Sequence, residues 1–269
     1  MCQLLGMNCN VPTDIVFSFT GFQARGGLTD HHTDGWGIAF FEERGLRQFL
    51  DSKPSAHSPV AELVRNYPIK STHVIAHIRK ATQGRIALEN THPFQRELWG
   101  RYWAFAHNGN LVDFAPEFHG PFRPVGDTDS EKAFCYLLQE LKSEFGDQAP
   151  SDDLLFEAVR KHSLILGAKG EFNFLLSNGQ LMFAHCSTRL CSIVRQAPFS
   201  VAALKDQDVS VDFSSLTTEK DRVAVIATLP LTENEVWKTH APGTLLMFRE
   251  GLIVSEVPTI AGPPRAPAS

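Results

Sequence analysis

The sequence has few cysteines, and they follow no metal-binding or disulfide spacing. Five occur in 269 residues, and no CxxC pair is present. Neither a zinc ribbon nor a disulfide framework is therefore indicated, and a reducing, cytoplasmic setting is expected. The cysteines are Cys2, Cys9, Cys135, Cys186 and Cys191.

Long apolar runs and a strong excess of one charge are also missing. No stretch is long enough to cross a bilayer, and the first residues lack the basic segment followed by an apolar segment that marks a leader peptide. The 25 lysines and arginines against 30 aspartates and glutamates give a formal net charge of −5. Because no basic stripe is present, we expect neither nucleic acid nor a membrane as a partner.

Cofactor and metal motifs are missing as well. The chain contains no P-loop and no GxGxxG segment, so no cofactor is expected. His31, His32 and Asp34 lie close together, but neither HExxH nor HxH occurs. A metal hydrolase is therefore a remote alternative, and no metal is expected.

The apolar pattern predicts two groups of strands with two adjacent helices between them, which favours helices packed on a largely antiparallel sheet system. Strands are predicted over 2–7, 34–41, 46–50, 71–79, 101–109, 171–185 as a hairpin turning at Asn178–Gly179, 221–228 and 244–254. Helices are predicted over 11–27 with Pro12 near the first position, 58–67, 128–145 and 152–166.

Two further features concern the ends and the loops. Thr128 and Glu131 match a capping box at the start of the third helix, and Gly146 follows its last turn. Residues 80–100 are predicted as one long loop, a length typical of functional loops. A single domain over 1–257 is expected, followed by a Pro/Ala-rich tail over 258–269.

Cys2 directly follows the initiator methionine and allows two interpretations. It is either a small buried hydrophobe in the first strand, or, once Met1 is removed, an N-terminal nucleophile. In the second case the thiol shares a residue with an α-amine whose pKa is about 7.7–8.0. An amine of that pKa is suited to take up the thiol proton near neutral pH.

Three polar features occur at the ends of predicted elements, where their side chains can converge. Arg79 ends one strand, the turn dipeptide Asn108–Gly109 ends another, and Asp129 lies in the first turn of a helix. Each also has a plain structural interpretation: a solvated charge, a hairpin turn, and an acid that favours the helix dipole.

Taken together with Cys2, these segments resemble the glutaminase domain of class II glutamine amidotransferases, which are of the Ntn-hydrolase type. The resemblance depends on "AHIRKATQG" beside the family's H-x-R-x-A-T-x-G, on "HNG", and on "TDSE" beside T-D-T-E. The segments "HTDGWGIAF", "LENTHPFQRELWGR" and "ATLPLTENEVW" are similar to those of the stand-alone YafJ-type subgroup. The similarity extends from the N-terminus to about Phe248.

The resemblance implies a role for each matching residue. Cys2 would attack the side-chain amide carbon of glutamine, and the Asn108 amide with the Gly109 backbone N–H would stabilise the oxyanion. Arg79 would bind the α-carboxylate and Asp129 the α-ammonium, and Thr82 would line the substrate site. Ammonia would leave, and water would hydrolyse the glutamyl thioester.

The resemblance also implies the architecture, a four-layer αββα sandwich of two packed antiparallel sheets in the α+β class. No synthase segment is evident, so either a separate ammonia-accepting protein is the partner or the enzyme simply hydrolyses glutamine. Some relatives act on γ-glutamyl thiol conjugates such as glutathione, and the same residues would hold that γ-glutamyl group. A catalytically inactive regulatory subunit, or unprocessed chains that retain Met1, are the remaining alternatives.

Overall fold

The computed structural model describes residues 2–259, which form fifteen strands and four α-helices with three short 3-10 segments. The strands are β1 (Gln3–Thr13), β2 (Trp36–Glu42), β3 (Gly45–Asp51), β4 (Ser71–Ile78), β5 (Phe94–Leu98), β6 (Arg101–Leu111), β7 (Gly170–Ser177), β8 (Met182–Cys186), β9 (Cys191–Gln196), β10 (Val201–Ala203), β11 (Ser210–Asp212), β12 (Arg222–Ala227), β13 (Lys238–Thr239), β14 (Thr244–Arg249) and β15 (Leu252–Pro258). The helices are α1 (Val16–Ala24), α2 (Pro59–Asn66), α3 (Asp129–Phe145) and α4 (Asp152–Gly167).

Two antiparallel sheets form the centre of the molecule. The seven-stranded sheet has the order β13-β9-β12-β1-β4-β2-β3, and the six-stranded sheet has the order β15-β14-β8-β7-β6-β5. A separate two-stranded ribbon joins β10 and β11. Among residues 2–259, no helix combines the length and apolar character needed to cross a lipid bilayer.

Three apolar cores separate four layers. One core packs α1 and α2 on the seven-stranded sheet, and a second packs α3 and α4 on the six-stranded sheet. The third lies between the two sheets and is formed by alternate residues of both, such as Leu4, Leu175 and Ile226. Helices therefore cover the outer face of each sheet, and the predicted αββα sandwich is confirmed.

The N-terminal strand occupies the middle of its sheet. β1 lies between β12 and β4, and Gln3 pairs with Ile78 at one end of the ladder. Its residues from Gln3 to Cys9 are buried, as expected for a strand covered on both faces. This register places Cys2 beside the chain that leaves β4 at Arg79.

The predicted first helix begins too early. β1 continues to Thr13, so Pro12 lies in the strand, and α1 begins at Val16. The pairing of β1 with β4 is irregular between Asn8 and Thr13. A proline, which lacks an N–H group, is tolerated at such an interruption of the ladder.

Two predictions about the residues before α3 are also wrong. The segment 80–100 is not one loop, because it contains a short 3-10 helix at Leu88–Asn90 and the edge strand β5. Asn108–Gly109 is not a strand-end turn, because β6 continues to Leu111 and pairs with β7 throughout this stretch.

The start of α3 is confirmed, but its capping box is only half formed. The Thr128 hydroxyl accepts a hydrogen bond from the Glu131 backbone N–H at 3.2 Å. The Glu131 carboxylate does not reach back to Thr128. It accepts from the backbone N–H groups of Val125 and Gly126 and pairs with Arg96 at 2.5 Å.

The predicted domain end after residue 257 falls in the last strand. β15 includes Pro258, and Thr259 is buried, where its hydroxyl contacts the His185 ring at 2.8 Å. The rest of the predicted tail, 260–269, lies outside the described residues, as does Met1.

Candidate functional site

Cys2 is held by the backbone of the residue that follows Arg79. The Lys80 N–H donates to the Cys2 sulfur at 3.2 Å, and the Lys80 carbonyl oxygen lies 3.3 Å from the same atom. The residue is partly exposed. Burial raises the pKa of its thiol, while the Lys80 N–H and the charge of Arg79 lower it and Asp34 raises it. The thiol therefore depends on nearby donors and charges to ionise.

Asn108 reaches Cys2 from the other sheet. Its Nδ2 donates to the Cys2 carbonyl oxygen at 2.7 Å and lies 3.4 Å from the Thr228 hydroxyl. That hydroxyl accepts from the Leu4 N–H at 2.9 Å. The Asn108 Oδ1 is buried and has no hydrogen-bond partner among the described residues. The contact joins β6 of one sheet to the residue that precedes β1 of the other.

Gly109 follows within the same strand, opposite Phe172. A Cβ atom at this position would overlap the Glu171 carbonyl oxygen and would crowd the His107 ring. Packing against β7 therefore requires glycine here, although the residue forms no turn.

Arg79 lies directly after β4 and is buried. Its guanidinium group donates to the carbonyl oxygens of Gln83 at 2.9 Å, Gly84 at 3.2 Å and Arg85 at 2.9 Å. Burial lowers its pKa, and four acidic groups act in the opposite direction: Cys2, Asp34, Asp127 and Asp129. The guanidinium thus orders the loop that follows β4 and carries its charge close to Cys2.

Asp129 and Thr82 line one cavity. Asp129 begins α3, is buried, and accepts from the Leu111 N–H at 2.8 Å. With Thr82, Asn110 and Lys132 it lines an open cavity of about 670 Å³. Cys2 and Asn108 do not line this cavity. The structure therefore brings Asn108 into contact with Cys2, and it places Thr82 and Asp129 on one cavity. The charge of Arg79 acts on both Cys2 and Asp129.

Three polar residues of this region were not among those predicted from the sequence. Asp34 accepts from the Ala81 N–H at 2.8 Å and so ties the loop before β2 to the segment beside Cys2. Thr228 contacts Asn108 as described above, and Asn173 donates to the Asn108 carbonyl oxygen at 2.9 Å. A single asparagine within the apolar run "EFNFLL" was the signal that could have identified Asn173.

Several histidines in or beside the two sheets are buried. The rings of His77 and His92 are 4.2 Å apart, and His107 contacts the Ser130 hydroxyl at 2.8 Å. Burial lowers the pKa of His77 to about 3. His31 is exposed, and His32 lies 3.0 Å from the Asp30 carboxylate. No group of three or more candidate ligands is found among residues 2–259.

Comparison with known proteins identifies the family. The family model described as "Glutamine amidotransferases class-II" matches residues 1–266. The chain belongs to the class II glutamine amidotransferases. YafJ of Escherichia coli (strain K12) is 55% identical over 248 residues, which are 92% of this chain and 97% of that protein. A relative from Haemophilus influenzae is 52% identical over 257 residues, 96% of this chain and 87% of its own length.

Similarities to solved structures agree with this family assignment. The protein of Pseudomonas aeruginosa PA01 described as a predicted glutamine amidotransferase is 44% identical, with a TM-score of 0.76, covering 94% of this chain and 100% of that one. Glutamine phosphoribosylpyrophosphate amidotransferase from B. subtilis is only 16% identical, with a TM-score of 0.60 over 97% of this chain and 50% of that one. The second similarity shows a shared fold.

Proposed function

We propose that the protein hydrolyses glutamine to glutamate and ammonia, with Cys2 as the nucleophile after removal of Met1. The observation that carries the proposal is the hydrogen bond from the Lys80 N–H to the Cys2 sulfur, together with the hydrogen bond from the Asn108 amide to the Cys2 carbonyl oxygen. A partly exposed thiol that accepts a hydrogen bond from the Lys80 N–H and lies near the Arg79 cation has the setting of a reactive cysteine.

In the proposed reaction the freed α-amine of Cys2 takes the thiol proton, and the sulfur forms a bond to the amide carbon of the substrate. The carbonyl oxygen becomes an oxyanion, which the Asn108 Nδ2 and the Gly109 N–H stabilise. The proton returns to the leaving nitrogen as the C–N bond breaks. Water then attacks the thioester, which releases glutamate and restores the thiol.

The other end of glutamine carries two charges, and the proposal assigns one residue to each. The planar guanidinium of Arg79 suits the two oxygens of the α-carboxylate. Asp129, at the start of α3, accepts hydrogen bonds from the α-ammonium. Thr82, in the same cavity as Asp129, lines the substrate site.

We further propose that the reaction takes place in the cytoplasm and that a separate protein takes up the ammonia. A γ-glutamyl amide such as glutathione presents the same two charges as glutamine. Arg79 and Asp129 would hold either substrate, so both are compared in one assay.

The test begins with mature protein, whose N-terminal residue is identified by intact mass. Ammonia release from glutamine is compared among the unmodified protein, Cys2→Ala and Cys9→Ala. Cys9 is the matched control because it lies in the same strand but is buried against the carbonyl oxygens of Ser71 and Thr72. We expect activity to be lost only in Cys2→Ala.

Diazo-oxonorleucine, a reactive glutamine mimic, should label Cys2 alone. If Cys2→Ala were as active as the unmodified protein, or if the label were found at another residue, the assignment of Cys2 as the nucleophile would be wrong. Faster cleavage of glutathione than of glutamine would identify a γ-glutamyl amide as the substrate. Mature protein that cleaves neither compound would contradict the proposal and support the alternative of an inactive regulatory subunit.

A further inference from the structure

Asn173 is a fully buried asparagine in the middle of β7, paired in register with Asn108 of β6. Its side chain makes five hydrogen bonds. The Nδ2 donates to the Asn108 carbonyl oxygen at 2.9 Å and to the Thr188 hydroxyl at 2.8 Å. The Oδ1 accepts from the backbone N–H groups of Ser187 at 2.8 Å, Thr188 at 2.8 Å and Arg189 at 3.3 Å.

These contacts fix the orientation of the Asn173 amide. Three N–H donors converge on one atom, and only the oxygen of an amide can accept them. The nitrogen must therefore face the Asn108 carbonyl. The donors belong to the segment between β8 and β9, which connects the six-stranded sheet to the seven-stranded sheet. The oxygen of the Asn173 side chain is thus held by the segment 187–189, and its nitrogen faces the Asn108 carbonyl.

The Asn108 carbonyl oxygen, which accepts the hydrogen bond from Asn173, belongs to the same peptide unit as the Gly109 N–H. The bond between residues 108 and 109 is trans, so its carbonyl and its N–H point in opposite directions within one plane. Fixing the carbonyl therefore fixes the direction of the N–H. A hydrogen bond accepted by the carbonyl also polarises the unit and makes its N–H a stronger donor.

We infer that Asn173 is a positioning residue for the oxyanion site, through the 108–109 peptide unit. The inference rests on the proposed function, in which the Gly109 N–H and the Asn108 side chain bind the oxyanion. Asn173 does not touch the substrate in this scheme. It orients the 108–109 peptide plane, which contains the Gly109 N–H. The same contact fixes the Cα atom of Asn108, from which the side-chain donor extends.

A purely structural role would be to hold the segment 187–189, and two variants separate the roles. Asn173→Asp keeps an oxygen for the three N–H groups but replaces the donor that faces Asn108 with an acceptor. Thr188→Val removes the other contact of the Asn173 nitrogen and leaves the Asn108 contact in place. Should Asn173→Asp not fold, as judged by its melting transition, Asn173→Ser takes its place, because serine is too short to reach the Asn108 carbonyl.

The direct readout does not depend on activity. Labelling asparagine with ¹³C at the carbonyl carbon and glycine with ¹⁵N selects Asn–Gly peptide units in an HNCO spectrum. The chain contains two, Asn108–Gly109 and Asn178–Gly179. We expect Asn173→Asp to move the Gly109 signal and to leave the Gly179 signal, an internal control, unchanged.

The kinetic readout is the split between kcat and KM for glutamine. We expect kcat to fall about 10- to 100-fold in Asn173→Asp, with KM changed by less than about twofold, because misplaced oxyanion donors affect the transition state alone. Thr188→Val should keep kcat within about twofold.

An unmoved Gly109 signal with unchanged kcat would overturn the inference, and so would an equal loss of kcat in both variants. A protein that releases no ammonia from glutamine would contradict the proposed function instead, and the Gly109 signal would still report whether Asn173 fixes this peptide unit.

Discussion

The amide nitrogen of Asn108 lies 2.7 Å from the carbonyl oxygen of Cys2, although the two residues are 106 positions apart in the chain. Asn108 lies in the six-stranded sheet, whereas Cys2 precedes the central strand of the seven-stranded sheet. The contact therefore depends on how the two sheets pack. In the proposed reaction this donor stands beside the nucleophile before the substrate arrives, so little reorganisation is needed when the oxyanion forms.

Replacing Asn108 by Asp tests that role. The variant keeps the shape of the side chain, but a carboxylate cannot donate to an oxyanion. Loss of one such donor costs about 2.7–4 kcal/mol of transition-state stabilisation, or about 10²- to 10³-fold in kcat. Steady-state kinetics with glutamine should show this loss in kcat, with little change in KM. A variant that changes KM alone would assign Asn108 to substrate binding.

Asp129→Asn tests recognition of the α-ammonium group. An amide oxygen can still accept from the Leu111 N–H, so the start of α3 is retained. Loss of the charge should raise KM for glutamine about 10- to 100-fold, because a charge-assisted hydrogen bond is worth about 1.5–3 kcal/mol.

A substrate analogue supplies the control for Asp129→Asn. Glutaramate has the carboxylate and the amide but no ammonium group. The unmodified protein should prefer glutamine strongly, and the variant should have lost most of that preference. An undiminished preference would show that Asp129 does not bind the ammonium group.

Asp34→Asn should make the Cys2 thiol more acidic. The negative charge of Asp34 raises the pKa of the thiol, so its removal lowers the pKa and increases the thiolate fraction at a given pH. Alkylation of Cys2 by iodoacetamide, followed by mass spectrometry across a pH series, should shift to lower pH. Asp153→Asn, the same change on an exposed residue of α4, should leave the profile unchanged. A shift to higher pH would contradict the assignment.

The buried histidines should make the fold sensitive to acid. Burial lowers the pKa of His77 to about 3 and those of His73 and His185 to about 4. A histidine whose pKa is lower in the folded state than in the unfolded state binds fewer protons when the protein is folded. Its contribution to the free energy of unfolding is therefore fully present above the unfolded-state pKa of about 6.5 and decreases as the pH falls below it. The free energy of unfolding should therefore decrease from pH 6.5 towards pH 4.

His77→Phe isolates one of these groups. Each such histidine contributes a slope of up to about 1.4 kcal/mol per pH unit in this window. Urea unfolding at pH 7.5 and pH 5 should show a smaller acid-induced loss of stability in the variant than in the unmodified protein. Equal losses would show that His77 titrates normally in the folded chain.

The family, the residue types of the proposed site and the elements with local signals could be predicted from the amino-acid sequence alone. Thr128 and the apolar period of α3 placed that helix correctly because a cap and a helical face are formed by near neighbours. The short edge strand β5 was missed because polar residues lie between Phe94 and Leu98, and only its pairing with β6 makes it a strand.

The conformation of Asn108–Gly109, in contrast, depends on contacts that are distant in the chain. In the sequence this dipeptide is typical of a turn, but pairing with β7 keeps it extended. The Asn173 side chain then holds its carbonyl, and the packing of the two sheets brings its amide to Cys2. Contacts between residues 65 and 106 positions apart depend on strand register and sheet packing, which no local pattern encodes.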